Sequence, residues 1–318
     1  MHASRPTLAW FRDDVPAAAG AGLVGAPGTR VGDGRYEVLR LVGAGGMGQV
    51  YQAHDRVLER HVALKIMRSE VPASERRRFR REALLGARLL HPSLVRVYDM
   101  GCGVDGEAAW MAMEYLPGTD ALRLLEGSRA RGQSLPWPAL RRVLGQVLAA
   151  LQYCHDCRVV HRDVKPANMF VTRDPNTRYL TTKLLDLGIA LDLDGPAPVG
   201  KVEVLCGDPN YMAPEQTIAG ATLDARADLY AVGMSLFELC TGTLPFEDLV
   251  DAPLAELLAA QREVDPGPPS ARMPRDTPPE LAQRVDRLVA RACAKRPAAR
   301  FQSAVDMLTA LDAPLAEL

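Results

Sequence analysis

No stretch of this chain holds about 18 consecutive apolar residues, so no membrane span is expected. The N-terminus has no basic stretch followed by an apolar core, and no secretory signal is evident. Neither sign of charge is in excess. The chain has 38 Lys and Arg against 39 Asp and Glu, a formal net charge of −1 and a sequence pI of about 6.6. Without a global basic field, nonspecific nucleic-acid binding has no electrostatic basis, and no nucleic-acid partner is expected. Cysteine is scarce. Six in 318 residues do not make a disulfide framework, and a reducing cytoplasm is the expected location. Cys154 and Cys157 form a CxxC, but no second pair lies nearby to complete a zinc site. They read as a small apolar residue at a helix end and a loop cysteine.

What is present is ordinary globular material, 47% hydrophobic, and long enough for one large domain or two lobes. Residues 1–34 are rich in Ala, Gly and Pro, carry no period and read as a flexible tail. From Tyr36 the pattern alternates around a glycine cluster, as two strands joined by a turn would. "RHVALKIM" and "EAAWMAMEYL" read as further strands. "SERRRFRREALLGARLL" reads as a helix that Ser74 can cap and "HP" ends. After Pro117–Gly118 apolar stripes at helical spacing take over. The outline is a strand-rich lobe over 35–115, a hinge near Glu114–Gly118, a helical lobe over 116–312 and a short end at 313–318. A cleft between two lobes is a natural ligand site. "DAPLAEL" occurs at 251–257 and again at 312–318, and each copy reads as a helix start with an Asp cap and Pro in the first turn.

Three groups of residues carry chemistry. "GAGGMGQV" places Gly43, Gly45 and Gly48 where backbone N–H groups could approach phosphate oxygens. No Gly-Lys-Ser/Thr follows, and a strand stands where a dinucleotide-binding motif needs a helix. Lys65, inside the apolar "VALKIM", needs a partner or a bound anion. Glu82 is a candidate; the plainer reading makes it a solvated helix charge. "HRDVKPAN" then gathers His161, Arg162, Asp163, Lys165 and Asn168 in one short loop, and "LLDLG" ends a strand in Asp186. These types can accept a proton, neutralise a phosphate and offer hard oxygens to Mg²⁺.

In order and spacing these motifs resemble the eukaryotic-like (Hanks-type) serine/threonine protein kinases, especially their bacterial branch. The resemblance runs over about 36–311 and extends to "MEYLPG", "YMAPEQ", "DARADLYAVG" and "KRPAARF". It implies an α+β, bilobal protein-kinase fold that uses ATP with Mg²⁺, or Mn²⁺ in its place, on protein substrates with Ser/Thr acceptors in signal transduction. Leu41, Gly43, Ala44, Gly45, Gly46, Met47, Gly48, Val50 and Ala63 would surround ATP. Lys65 would hold the α- and β-phosphates and pair with Glu82. Met113 would be the gatekeeper, and the backbone of Glu114, Tyr115 and Leu116 would bind adenine. Asp163 would orient the acceptor hydroxyl and take its proton, Lys165 would steady the γ-phosphate, and Asn168 and Asp186 would hold the metal. Glu215 would pair with Arg300, and Asp228 would brace the catalytic loop. A lysine at 165 goes with Ser/Thr acceptors in this family.

Several features depart from the pattern. "DLG" stands for the usual "DFG", and Leu187 still supplies an apolar plug. Ala167 replaces a common Glu, which removes a reason to prefer Arg or Lys upstream of the target. Asp208 replaces the family's Thr beside Asp163 and Lys165. It would attract the lysine and repel the aspartate, which retunes the site rather than silencing it. Between Asp186 and Glu215 there is no Ser or Thr. Relatives often order this segment with a phosphate that pairs with the residue matching Arg162; here Asp192, Asp194 or Glu203 could take that place. No fused sensor domain is evident, so an activating signal is expected from a partner, a ligand or expression level. The alternatives are a nucleotide-binding pseudokinase scaffold marked by Asp208, and a small-molecule kinase, against which "APE" argues. Oligomeric state cannot be read from the chain.

Overall fold

The segment Arg60–Met67 buries every residue from Val62 to Met67. A strand does this most readily from the middle of a sheet covered on both faces. The computed structural model describes residues 26–45, 48–68, 71–101, 109–173, 180–187, 189–193 and 205–313. Gly46, Met47, Asp194, Glu203, residues 1–25 of the expected tail and residues 314–318 lie outside the described residues. The chain divides into two compact units.

The first unit holds residues up to Thr119 together with Thr172–Leu180. Here β1 (Arg30–Val31), β2 (Tyr36–Ala44), β3 (Gly48–Asp55), β4 (Arg60–Met67), β5 (Val97–Gly101) and β6 (Trp110–Glu114) form one sheet. Its order is β1-β2-β3-β4-β6-β5, with antiparallel pairing. Neighbours on both sides of β4 set its register: Val50 stands opposite Lys65, and Met113 opposite Ala63. Val62, Leu64 and Ile66 join Tyr36, Tyr51 and Trp110 in the core. Strand alternation turns Ala63, Lys65 and Met67 to the other face, where α1 (Ala73–Arg88) supplies Glu82. Ser74 does not cap this helix. The helix begins at Ala73 behind Pro72, with no side-chain cap, because the preset backbone of proline starts it earlier.

The second unit comprises Asp120–Val171 and Thr181–Leu318. From β7 (Gly118–Asp120), Asp120 caps α2 (Ala121–Ala130) by accepting from Arg123 N–H. Next come α3 (Trp137–Asp156), β8 (Val159–Val160), β9 (Met169–Arg173), β10 (Leu180–Leu184) and β11 (Leu191–Asp192). β9 pairs with β10, and β8 pairs antiparallel with β11. The rest is α4 (Arg226–Thr241), α5 (Leu254–Glu263), α6 (Pro279–Ala292) and α7 (Ala304–Asp312). α4 is buried on every side from Ala227 to Cys240, so it is a central helix rather than the one-sided helix its apolar pattern suggests. The two "DAPLAEL" copies part ways. In the first, α5 starts at Leu254 behind Pro253, and Asp251 does not cap it. In the second, Asp312 is the last residue of α7 and so ends a helix. Identical local chemistry is overridden by what each copy packs against.

Candidate active site

In the first unit the lysine of β4 has found its partner. Lys65 is 1% exposed, and its Nζ lies 2.7 and 2.8 Å from the two carboxylate oxygens of Glu82. Glu82 shares the buried edge of α1 with Phe79, Ala83, Leu85 and Gly86, so it is an inward residue and not a solvated one. Each charge alone would be costly here; together they satisfy one another. Nearby, Gly45 N–H donates to the Gly48 carbonyl at 2.9 Å and closes the turn between β2 and β3. A Cβ on Gly48 would lie 2.3 Å from the Ile66 carbonyl oxygen, so only glycine fits there. Gly43 and Ala44 end β2, Val50 and Ala63 are buried in β3 and β4, and Leu41 is half-buried. Met113 is buried and Glu114 ends β6, donating its N–H to the Arg96 carbonyl at 2.8 Å. Tyr115 Oη accepts from Arg40 at 3.1 Å, and Leu116 is buried.

In the second unit a single loop gathers the polar groups. Asp163 Oδ1 lies 3.2 Å from Lys165 Nζ and accepts the backbone N–H of Asp208 at 3.2 Å. Asp163 Oδ2 accepts from Asn168 Nδ2 at 3.0 Å, and the same nitrogen donates to the Asp163 carbonyl at 2.8 Å. The loop is braced from α4: Asp228 accepts the N–H of His161 at 2.9 Å and of Arg162 at 2.8 Å, and meets His155 Nε2 at 2.8 Å. His161 Nδ1 accepts from Asp163 N–H at 3.3 Å, and its Nε2 faces the Leu185 carbonyl at 3.1 Å, tying the loop to the segment between β10 and Asp186. Arg162 and Asp186 both have φ of 66°, a left-handed conformation that non-glycine residues avoid. Such strain persists where surroundings over-determine the backbone. At Arg162 the N–H is held by Asp228, the carbonyl by Gln216 Nε2 at 3.3 Å, and the side chain donates to the Ile189 carbonyl at 2.5 Å.

Asp208 lies where the sequence suggests, and its contacts are divided. Oδ2 is 3.6 Å from Lys165 Nζ, while Oδ1 accepts the backbone and side-chain N–H groups of Asn210 at 3.1 and 2.9 Å. Its backbone, not its carboxylate, bonds Asp163. Burial raises the pKa of Asp163, Asp186 and Asp208 add to the rise, and Lys165 and His161 oppose it. For Lys165, burial pulls the pKa down, but Asp163 and Asp208 outweigh it and hold the amine charged. The scaffold pair is also formed: Arg300, fully buried, donates to both oxygens of Glu215 at 2.7 and 2.8 Å. Leu187 and Ala167 are buried.

Residues 36–310 match the protein kinase domain family. The chain belongs to the protein kinase family. The β-rich first unit and helical second unit are the fold of that family. This kinase domain is 40% identical over 280 residues to serine/threonine-protein kinase pkn3 of Myxococcus xanthus, covering 85% of this chain and 48% of that protein. It is 37% identical over 278 residues to PknF of Mycobacterium tuberculosis, covering 87% and 55%. Against PrkC of Bacillus subtilis it is 36% identical over 278 residues, covering 86% and 39%. The PknI kinase domain of Mycobacterium tuberculosis superposes with a TM-score of 0.65 at 31% identity, covering 90% of this chain and 98% of that one. These likenesses assign it to the bacterial serine/threonine branch. The chain spans about half, or less, of the length of the curated relatives it matches.

Three supporting residues, His155, Gln216 and Gly207, were not picked out from the sequence. His155 holds the loop through Asp228. Gln216, noted only as the residue after "APE", buttresses the Arg162 carbonyl. Gly207, at φ 116°, would set a Cβ 2.9 Å from that same carbonyl. Only the signal at Gly207 was local, since a Gly before "DP" suggests a turn. Cys154 is buried, and burial first of all pushes its thiol up to about 12. Among the described residues no group of three or more His, Cys, Asp and Glu could hold a metal. No described helix is long and apolar enough to cross a membrane.

Proposed function

We propose that this chain is an active, cytoplasmic protein serine/threonine kinase that passes the γ-phosphate of ATP to Ser/Thr hydroxyls of proteins in a signalling role. The observation that carries this reading is the arrangement of Lys165 and Asn168 around the Asp163 carboxylate. Asp163 Oδ1 and Oδ2 are both held, so the group is pre-oriented to accept a hydroxyl proton as the acceptor oxygen bonds phosphorus and ADP leaves. Lys165 offers positive charge to the transferring phosphoryl group. Asn168 spends its amide N–H on Asp163, which leaves its carbonyl oxygen as a hard donor alongside the Asp186 carboxylate. One amide and one carboxylate suit Mg²⁺, or Mn²⁺, which is held by few protein oxygens and by substrate phosphates. The metal, when bound, neutralises charge on those phosphates. Lys65, oriented by Glu82, holds the α- and β-phosphates, and the turn of Gly43, Gly45 and Gly48 covers them. Met113 is the gatekeeper, and the backbone of Glu114 to Leu116 binds adenine. Nothing in the site favours a scaffold without activity.

The test is transfer of labelled γ-phosphate to a generic protein in Mg²⁺. Wild type is expected to label it and Asp163→Asn to lose labelling; equal labelling by both would sink the reading. Asp208→Thr is a finer probe. It removes one of the carboxylates that raise the Asp163 pKa, so the acidic limb of kcat for peptide phosphorylation moves to lower pH, while ATP affinity stays nearly unchanged. A large change in ATP affinity with kcat untouched would count against this role for Asp208.

Activity is also expected not to depend on a phosphate in the segment 186–215, which has no Ser or Thr. Of the acids that could serve in place of that phosphate, Asp192 lies in β11, opposite Val159. Any autophosphorylation should map elsewhere, for example to Ser4, Thr7, Thr29, Ser69 or Ser74. Of these, Ser4, Thr7 and Ser69 lie outside the described residues. Treatment with a serine/threonine phosphatase, then its removal, should leave the initial rate largely intact. Loss of most activity, regained only after a lag with ATP, would overturn the expectation.

A further inference from the structure

The inward face of α1 is spent on Glu82 and its apolar neighbours; the outward face is strongly basic. Arg76, Arg77, Arg80 and Arg88 are exposed there, and Arg81 is half-buried. The helix has only two acids: Glu75, which pairs with Arg78 at 3.1 Å, and Glu82, buried against Lys65. Arg77, Arg80, Arg81, Leu84 and Arg88 recur at spacings of three and four, so they share a side of the helix. Leu84 is 52% exposed among them. A chain with net charge −1 must carry the balancing acid elsewhere. Much of it lies in residues 247–265, where Glu247, Asp248, Asp251, Glu256, Glu263 and Asp265 are all exposed. The one base of that segment, Arg262, is half-buried and donates to Thr217 Oγ1 at 3.3 Å. Val250, Leu254 and Val264 stand exposed between the acids.

We propose that the outward face of α1 docks the acidic segment 247–265 of a second copy of this chain. Each surface repels its own kind and complements the other in charge, and each offers aliphatic side chains to bury once the charges have met. The contact is therefore heterologous, one α1 against one acidic segment. It uses no residue assigned to phosphotransfer and stands whether or not the chain is active.

Sedimentation velocity on the full chain, without ATP, tests it. At low salt, mass should rise with loading concentration. High salt should abolish the rise, since the Debye length falls from ~10 Å at 0.1 M to ~3 Å at 1 M. Two variants reverse one surface each: Arg77→Glu with Arg80→Glu, and Glu256→Lys with Glu263→Lys. Either one alone should weaken self-association by about tenfold or more. An equimolar mixture of the two should associate again, because each then supplies a surface the other lacks. Circular dichroism shows whether both variants fold, and the mixture itself controls for damage. A wild type that stays monomeric at low salt overturns the proposal, and points to an unrelated acidic protein as the occupant of α1. Association that survives both reversals, or a mixture that does not associate, also overturns it.

Discussion

Lys65→Met should lower phosphate transfer by ~10²–10³, the scale of losing one preorganised electrostatic stabiliser. The substitution is close in length and apolar, so it suits the packing of β4. It also leaves the Glu82 carboxylate buried without the amine that lies 2.7 Å away. Breaking a buried pair in this way costs about 3–5 kcal/mol, and a loss of activity could then be read as a loss of fold. Lys65→Met with Glu82→Gln separates the two. The second change removes the stranded charge, so thermal stability should recover most of what the single variant lost while transfer stays low. Wild-type turnover in either variant would mean that Lys65 has been given the wrong role.

Asp228→Ala should be the most damaging single truncation for stability. Asp228 is wholly buried in α4 and accepts from the His161 and Arg162 backbones and from His155. Each buried donor left without an acceptor costs about 1–3 kcal/mol, so the three together set a loss of about 3–9 kcal/mol. At ~2–4 °C per kcal/mol, the melting temperature should fall by roughly 10 °C or more. Asp228→Asn, which keeps one acceptor oxygen, should fall between. The pH dependence has a fixed sign. Burial alone would raise the pKa of Asp228, but the His155 hydrogen bond, the charges of His155 and His161 and the His161 N–H outweigh it and lower it. Its stabilisation is therefore fully present above the ordinary carboxylate value of 3.8 and is lost as pH falls through the depressed folded value. The Asn variant should lack that share of the acid slope. A variant with wild-type melting and wild-type acid slope would remove Asp228 from the scaffold.

The chemistry was more legible than its support. Lys65 announced itself because a cation inside an apolar strand needs a counter-charge, and Glu82 was a candidate because it interrupts a basic helix. "HRDVKPAN" was legible because it packs its reactive types into eight residues. His155 and Gln216 were not, since each acts on a group far along the chain: His155 on the Asp228 carboxylate, 73 residues away, and Gln216 on the Arg162 carbonyl, 54 residues away. No local period or spacing encodes such a meeting. The division of Asp208 was equally hidden. Its sequence position suggested a carboxylate shared between Asp163 and Lys165, whereas Asn210 holds one of its oxygens and only its backbone reaches Asp163.

Helix starts mark the same boundary. Ser74 and both "DAPLAEL" aspartates carry the right side chains for caps, yet Pro72 opens α1, Pro253 precedes α5, and Asp312 ends α7. A cap contributes about 1 kcal/mol, which the packing of a whole helix easily exceeds. The sequence by itself determined the strand-then-helix order, the kinase motifs and the identity of the groups that can handle phosphate, metal and proton, because those are properties of residue type and spacing. Only the tertiary structure decided that Glu82 faces inward, that α4 is central, and that Arg162 is held in a left-handed conformation by Asp228 and Gln216. Those outcomes depend on which buried charges and backbone groups meet across long separations, and that is fixed by packing the chain into one set of mutually satisfied contacts.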